Sequence, residues 1–127
     1  GSPAAQKVTE MQINGFQDWL IPSRDVLELG YRNFKPTTYQ NYRSWRDGEN
    51  NNSVPPGWLY TTQFPAQTPL ADFQDEGAES FDDYAYRSST VLPDGETAFL
   101  QDFDYGDQYR CDLSAECRVR AVRLIQL

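Results

Sequence analysis

Three stretches in the last third of the chain decide the fold: YRSST at 86–90, AFLQDF at 98–103 and VRAVR at 119–123. Each combines β-branched or aromatic residues with polar ones, as is typical of a strand, whereas the sequence between them is irregular. We therefore expect framework strands joined by exposed loops, in a chain that becomes β-rich from Tyr84 onward.

The segment between the second and third stretches has the composition of a binding surface. It mixes large aromatic, charged and apolar residues without a helical or strand period that would bury them. Tyrosine suits such a surface because it offers a wide, stiff, amphipathic contact area with few rotors to freeze. Tyr105 and Tyr109 flank Gly106, where a turn makes large side chains hard to bury.

Helices are predicted only in short pieces. Ser23 is a plausible N-cap for a helix over 24–33, and a second short helix is expected from Pro36 through Tyr42. Thr68-Pro69 begins a third helical segment that ends near Gly77. Asparagine, glycine and a proline pair make residues 46–57 a long loop.

Length and composition predict one loop-rich domain. A chain of 127 residues can bury a core without metal or disulfides, and 8 Gly, 8 Pro and a mean hydropathy of -0.73 indicate long connections. We expect residues 1–10 to be a tag remnant and linker or a first strand, and residues 11–127 to form a single ligand-binding domain. The sequence contains no apolar run of membrane-spanning length and no apolar leader, so we expect no membrane insertion.

Charge is concentrated in one segment. Residues 72–107 carry eleven acids against a single base, a local net charge of -10, whereas the whole chain has a net charge of -8. An acidic segment of this size would repel nucleic acid, so we expect no nucleic-acid partner. It is either a solvated face or a face that binds cations or a basic receptor.

The residue inventory argues against an enzyme. The absence of histidine removes Ser-His-Asp and Cys-His machinery and the common zinc sites, and no glycine-rich phosphate loop is present. Paired carboxylates of the kind that glycosidases use remain as an alternative, but the missing site inventory leads us to expect binding without catalysis and without a cofactor.

Two weaker sites remain open. Asp102, Asp104 and Asp107 near a glycine turn are calcium candidates, although their spacing is not that of an EF-hand and a solvated strand end is the commoner explanation. Cys111 and Cys117 are close enough in sequence to form a disulfide, and two free thiols are the alternative.

Several motifs taken in order resemble the C-type-lectin-like family typified by the C-terminal domain of the collagen-like adhesin Lcl. They are DWLIPSRD at 18–25 leading into LELGYRN at 27–33, YRSST at 86–90, the stretch from Gln101 to Gln108 around Gly106, and VRAVR at 119–123. FKPTT at 34–38, PAQT at 65–68 and GAESF at 77–81 are similar to phage tail and fibre-tip members.

The resemblance implies an α+β, C-type-lectin-like fold, in which two short helices flank small twisted antiparallel sheets and the domain is often a homotrimer. It also implies a receptor- or ligand-binding domain on a virion tail fibre or an extracellular surface, with a host-surface protein or glycan as partner. The residues expected to contact the ligand are Arg87, Phe99, Asp102, Asp104, Tyr105, Asp107, Tyr109, Arg110, Asp112 and Leu113.

Some relatives are variable proteins of diversity-generating retroelements, and most residues of 91–95 and 109–115 are of types that adenine-directed mutagenesis produces. The sequence lacks the calcium-sugar motifs of animal C-type lectins, and its acidic segment does not suit sulfated glycosaminoglycans. Two other functions stay open, a trimerising structural cap of a fibre and a bacterial surface adhesin that binds host glycan.

Overall fold

In a computed structural model, the chain is described over residues 19–41, 61–115 and 117–123. Helix α1 spans Arg24–Phe34, and a 3-10 helix, η1, spans Ala71–Phe73. Three strands follow, β1 at Ala85–Val91, β2 at Thr97–Asp102 and β3 at Gln108–Asp112. The protein is therefore a small α+β domain, as the sequence predicts at the level of fold class.

Helix α1 confirms the helix predicted over 24–33. The Ser23 hydroxyl accepts a hydrogen bond from the Val26 N–H at 3.3 Å, which satisfies one of the free donors of the first turn. The helix ends at Phe34 because Lys35 precedes Pro36, and a residue before proline disfavours the helical conformation. Leu27 and Tyr31 point from this helix into the core.

The sheet is antiparallel with the order β1-β2-β3. In its register Tyr86 pairs with Gln101 and Arg87 with Leu100, while Gln101 pairs with Gln108. The third predicted strand, 119–123, is not a strand in the described chain, where Val122 forms an isolated bridge with Leu20 and Arg118, just before this stretch, forms one with Tyr86.

Phe103 is the centre of the core. It is fully buried, and its ring stacks on Phe81 with centroids 4.1 Å apart. Tyr31 and Tyr86 meet the same ring edge-on at 5.5 and 5.4 Å. Gly30 faces both phenylalanines, and a Cβ added there would lie in van der Waals contact with Phe103 and Phe81, 3.5 Å from each ring. The core thus joins α1 to the turn that follows β2.

The two-helix arrangement is not seen. No helix begins at Pro36 within residues 36–41, and Tyr42 and the predicted loop at 46–57 lie outside the described residues. Thr68 begins no longer helix either, since the segment reaches only the single turn of η1. Within the described residues α1 is the only α-helix, so the two flanking helices implied by the resemblance are not seen there, and the C-type-lectin-like fold itself stays a proposal.

Lys35 explains why the chain after α1 is not helical. Its side chain is 2% exposed, and its Nζ donates to the Tyr39 carbonyl, to Asn41 Oδ1 at 3.0 Å and to the Pro65 carbonyl at 3.3 Å. Burial lowers the pKa of Lys35. These bonds hold residues 35–41 against 61–65 as an irregular loop, which leaves Tyr39 at the surface.

Candidate functional site

The β2–β3 hairpin divides the predicted contact residues between its two ends. Gln101 pairs with Gln108 beside the connecting turn, whereas Thr97 pairs with Asp112 at the opposite end. Four residue steps of about 3.4 Å place these ends roughly 14 Å apart. The turn end holds Asp102, Asp104, Tyr105 and Asp107, and the far end holds Asp112 and Leu113. The ten residues do not form one patch.

The turn is built by its own carboxylate and glycine. Asp102 Oδ1 accepts the Asp104 N–H at 2.7 Å, and the Asp102 carbonyl accepts the Gly106 N–H at 3.0 Å. Gly106 has a φ of 85°, a left-handed conformation that favours glycine. The closed turn leaves no interior space for Tyr105, whose side chain is 47% exposed.

Tyr105 has a neighbour that sequence reasoning missed. Tyr39, from the loop after α1, is 46% exposed, and the two ring centroids are 6.1 Å apart with the planes inclined by 35°. We call the surface formed by Tyr39, Tyr105, Asp83, Asp102 and Asp104 the tyrosine face. Tyr39 and Asp83 come from distant parts of the chain, and no local signal marks Tyr39 as exposed, because the sequence predicts a helix from Pro36 through Tyr42.

Electrostatics show that the carboxylates of the tyrosine face act on one another and on Tyr39. The charge of Asp83 is the main cause that raises the pKa of Tyr39, and Asp104 adds to it. Burial raises the pKa of Asp102 and of Asp104, and the charge of Asp83 raises both further. The face is therefore a region of mutual negative repulsion.

Tyr109 lies on the sheet beside this face. It pairs with Leu100 and is half-buried, and burial is the main cause that raises its pKa, followed by the charges of Asp102 and Asp107. Tyr109 is consequently less accessible than Tyr105, although both tyrosines flank Gly106 and the same exposure is expected for them from the sequence.

Two predicted contact residues do not belong to the exposed surface. Arg87 lies within β1, and its side chain is 6% exposed. Phe99 is half-buried, with the Arg24 guanidinium 3.6 Å from its ring centroid. The resemblance counts both among the ligand contacts, but the strand-like run at 98–103 also predicts core packing for Phe99, and the register places it on the side that faces α1. Arg110, the cross-strand partner of Phe99, is exposed.

A buried polar network holds the turn from inside. Arg24 donates to Gln108 Oε1 from Nε at 3.1 Å and from Nη2 at 2.6 Å. Gln108 Nε2 donates to Gln101 Oε1 at 2.7 Å, and Gln101 Nε2 donates to the Gly106 carbonyl at 2.9 Å. Buried polar groups need such partners, so the pair of glutamines around Gly106 serves to fix the turn.

The structure bears on both weaker sites. Within the described residues no group of three or more acidic, histidine or cysteine side chains is placed to hold a metal ion, and Asp102 Oδ1 already accepts the Asp104 N–H. Asp102 therefore supplies an acceptor to the turn, and calcium binding by Asp102, Asp104 and Asp107 stays a prediction. Cys111, in β3, and Cys117, in the segment that follows, are joined by a disulfide at the end of the strand opposite the turn.

Arginines from the end of the chain neutralise part of the acidic segment. Arg118 lies 2.6 Å from Asp82, and its guanidinium is 4.3 Å from the Tyr84 ring centroid. Arg120 lies 3.7 Å from Glu79. The acidity predicted beside the binding face is therefore offset near residues 79–84 and persists at the tyrosine face.

The described surface has two grooves, one of them next to the tyrosine face. A polar groove of about 440 Å³ runs beside Tyr39 and is lined by Gln40, Gln63 and Gln67 among others. An apolar groove of about 360 Å³ lies along α1, next to Val26 and Leu29. No helix within the described ranges is long and apolar enough to cross a membrane.

Comparison with known proteins leaves the family open. No family model matches the chain, and neither a curated protein nor a solved structure matches it. The function must therefore be argued from the site.

Proposed function

We propose that this chain is a ligand-binding domain and that the tyrosine face is its recognition surface. The observation that carries the proposal is the pair of exposed tyrosines, Tyr39 and Tyr105, held side by side by two separately anchored loops. Exposed tyrosines of this kind supply contact area at low entropic cost, and their loops are fixed before a ligand arrives.

Anchoring of both loops supports recognition over a merely solvated face. Lys35 fixes the Tyr39 loop from below, and the Gln101–Gly106 hydrogen bond fixes the Tyr105 turn. A surface whose only task is solubility needs no such support, whereas a binding surface gains affinity when its groups are already in place.

The resemblance extends the proposal to a setting. It suggests display at a phage tail-fibre tip or a cell surface, with a host-surface protein or glycan as ligand, and loops that a retroelement diversifies. The disulfide supports an extracellular location, because disulfides persist in oxidising environments. A homotrimer and the adhesin alternative belong to the same proposal.

The test compares the wild-type domain with the Tyr39→Ala/Tyr105→Ala variant on arrays of glycans and of cell-surface ectodomains. We expect the wild type to bind a small set of array members and the variant to lose them while its melting temperature stays nearly unchanged. Leu70→Ala/Val91→Ala is the matched control, because it removes two exposed apolar side chains elsewhere.

Equal binding by wild type and tyrosine variant would contradict the proposal, and so would a wild type that binds nothing. Light scattering on the same samples addresses the structural-cap alternative. A wild-type oligomer that the tyrosine substitutions dissociate would assign the face to subunit contact instead of a ligand.

A further inference from the structure

We infer that the tyrosine face binds a basic segment of a partner protein, with lysine or arginine side chains lying over Tyr39 and Tyr105 beside the carboxylates of Asp83 and Asp104. The inference rests on the proposed function for the location of the surface and adds the chemistry of its occupant. Two arginines of the same domain, Arg118 and Arg120, already make contacts of this kind.

Arg118 contacts an aromatic ring and a neighbouring acidic side chain of this domain at the same time. Tyr84 is exposed, and the Arg118 guanidinium covers it at 4.3 Å while Arg118 Nη1 contacts Asp82 Oδ2 at 2.6 Å. One cation thus interacts with the face of an aromatic ring and with a carboxylate at the same time.

Arg120 repeats the arrangement on the neighbouring ring. Its guanidinium lies 4.6 Å from the Phe81 ring centroid, and its Nη2 lies 3.7 Å from Glu79 Oε2. The two cases are independent in that different arginines, rings and acids take part. In both cases one arginine contacts an aromatic ring and a carboxylate, and the ring and the carboxylate belong to residues 79–84.

Within the described residues, the tyrosine face has the same components without the cation. Tyr39 and Tyr105 supply two exposed rings, and Asp83 and Asp104 supply carboxylates whose charges reach Tyr39. Within residues 19–41, 61–115 and 117–123, no arginine or lysine lies over either ring. A partner that brings basic side chains would complete the arrangement.

The sign of the charge excludes the opposite class of ligand. Burial and the neighbouring acids already raise the pKa of Asp102 and Asp104, which means that the ionised carboxylates are poorly stabilised in the free domain. A bound ammonium or guanidinium group would stabilise them, whereas a sulfate or phosphate group would increase the repulsion. The face therefore favours a basic peptide over an acidic glycan.

Single contacts at exposed rings and carboxylates are weak, so the occupant is expected to present several basic residues in a row. A hexalysine peptide is a suitable probe, and fully acetylated hexalysine is its control, because acetylation removes the charges and keeps the backbone. Chemical-shift mapping by NMR then locates the binding site on the intact domain.

We expect hexalysine to shift the amide signals of Tyr39, Asp83, Asp104 and Tyr105, and acetylated hexalysine to leave them in place. Affinity should fall several-fold when salt is raised from about 50 to about 300 mM, because exposed charges are screened. The Asp83→Asn/Asp104→Asn variant should lose about tenfold in affinity, since each charged contact is modest.

The matched control is Glu96→Gln/Asp112→Asn, which removes two charges at the far end of the hairpin, where both residues are exposed. This control removes two negative charges, as many as the Asp83→Asn/Asp104→Asn variant does. It should keep the affinity within about twofold of the wild type. The asparagine at 104 keeps a side chain of the same shape, and an unchanged amide spectrum away from the face establishes that the variant is folded.

Equal losses in the two double variants, or shifts spread over all acidic residues, would show attraction to net charge alone and would overturn the inference. So would tyrosine-dependent binding of a neutral glycan in the polar groove with no effect of hexalysine. In that last case the proposed function stands and only the basic partner fails. If the tyrosine substitutions change no binding at all, both fail.

Discussion

The two sides of the β2–β3 turn use polar residues in opposite ways. On the inner side Gln101, Gln108 and Arg24 are buried and bonded to one another and to the Gly106 carbonyl. On the outer side Asp102 and Asp104 lie close together under partial burial, and their pKa values are raised. One side satisfies its polar groups internally, and the other keeps charge that a partner can neutralise.

The difference separates what shapes the turn from what the turn presents. Residues that satisfy one another stabilise the fold, because a buried polar atom without its partner is costly. Residues that repel one another destabilise it slightly and are explained better by recognition than by folding. Substitutions on the inner side should therefore change stability, and substitutions on the outer side should change binding.

The largest effect is expected from Gln108→Leu. It removes the acceptor of two Arg24 hydrogen bonds and the donor to Gln101, all in the buried interior. We expect the free energy of unfolding to fall by about 2–4 kcal/mol. Urea denaturation measures it, and Gln63→Leu, at an exposed glutamine, is the control with an expected change under about 0.5 kcal/mol. Similar values for the two variants would contradict the role of the network.

Removal of the disulfide should have the next largest effect. Cys111→Ser/Cys117→Ser opens a loop with a sequence separation of 6, for which chain entropy gives a loss of about 2 kcal/mol. Because the bond lies at the end of β3 opposite the turn, hexalysine binding at the tyrosine face should remain. A loss of that binding in a folded variant would show that the two ends are coupled.

Asp102→Asn should stabilise the domain at neutral pH by a smaller amount. The raised pKa of Asp102 means that its contribution to stability is present below the pKa of the unfolded chain and is lost as pH rises through the folded-state value. An asparagine removes that loss, and its side-chain oxygen still accepts the Asp104 N–H. Denaturation across acidic to neutral pH should show the variant gaining on the wild type as pH rises, and a parallel pair of curves would be evidence against it.

Arg118→Gln should have the smallest effect on stability and a distinct one on binding. The Arg118–Asp82 pair is exposed, so its loss is expected to cost under about 1 kcal/mol. The substitution uncovers Tyr84 next to an unpaired acid, which copies the arrangement of the tyrosine face. Hexalysine affinity should rise a few-fold by isothermal titration calorimetry, whereas an unchanged affinity would weaken the parallel between the two acidic regions.

Local signals in the sequence account for the parts that could be predicted. Ser23 and Pro36 bracket α1, and the exposure of Tyr105 follows from the glycine turn. The burial of Arg87 depends on strand register, which short stretches do not specify. Tyr39 joins the site only because a buried lysine bonds two loops that are distant in sequence. Such contacts have no local signature, and for the same reason the second helix was predicted wrongly.

The most direct test is the pKa of Asp104, measured by carboxyl carbon NMR with and without hexalysine. The account predicts a pKa above the ordinary aspartate range in the free domain, owing to burial and to Asp102 and Asp83, and a clear decrease when the peptide is bound. The decrease is required because a cation beside the carboxylate favours its charged form. A pKa that is ordinary in the free domain, or unmoved by saturating peptide, would contradict the claim that this face awaits a basic partner.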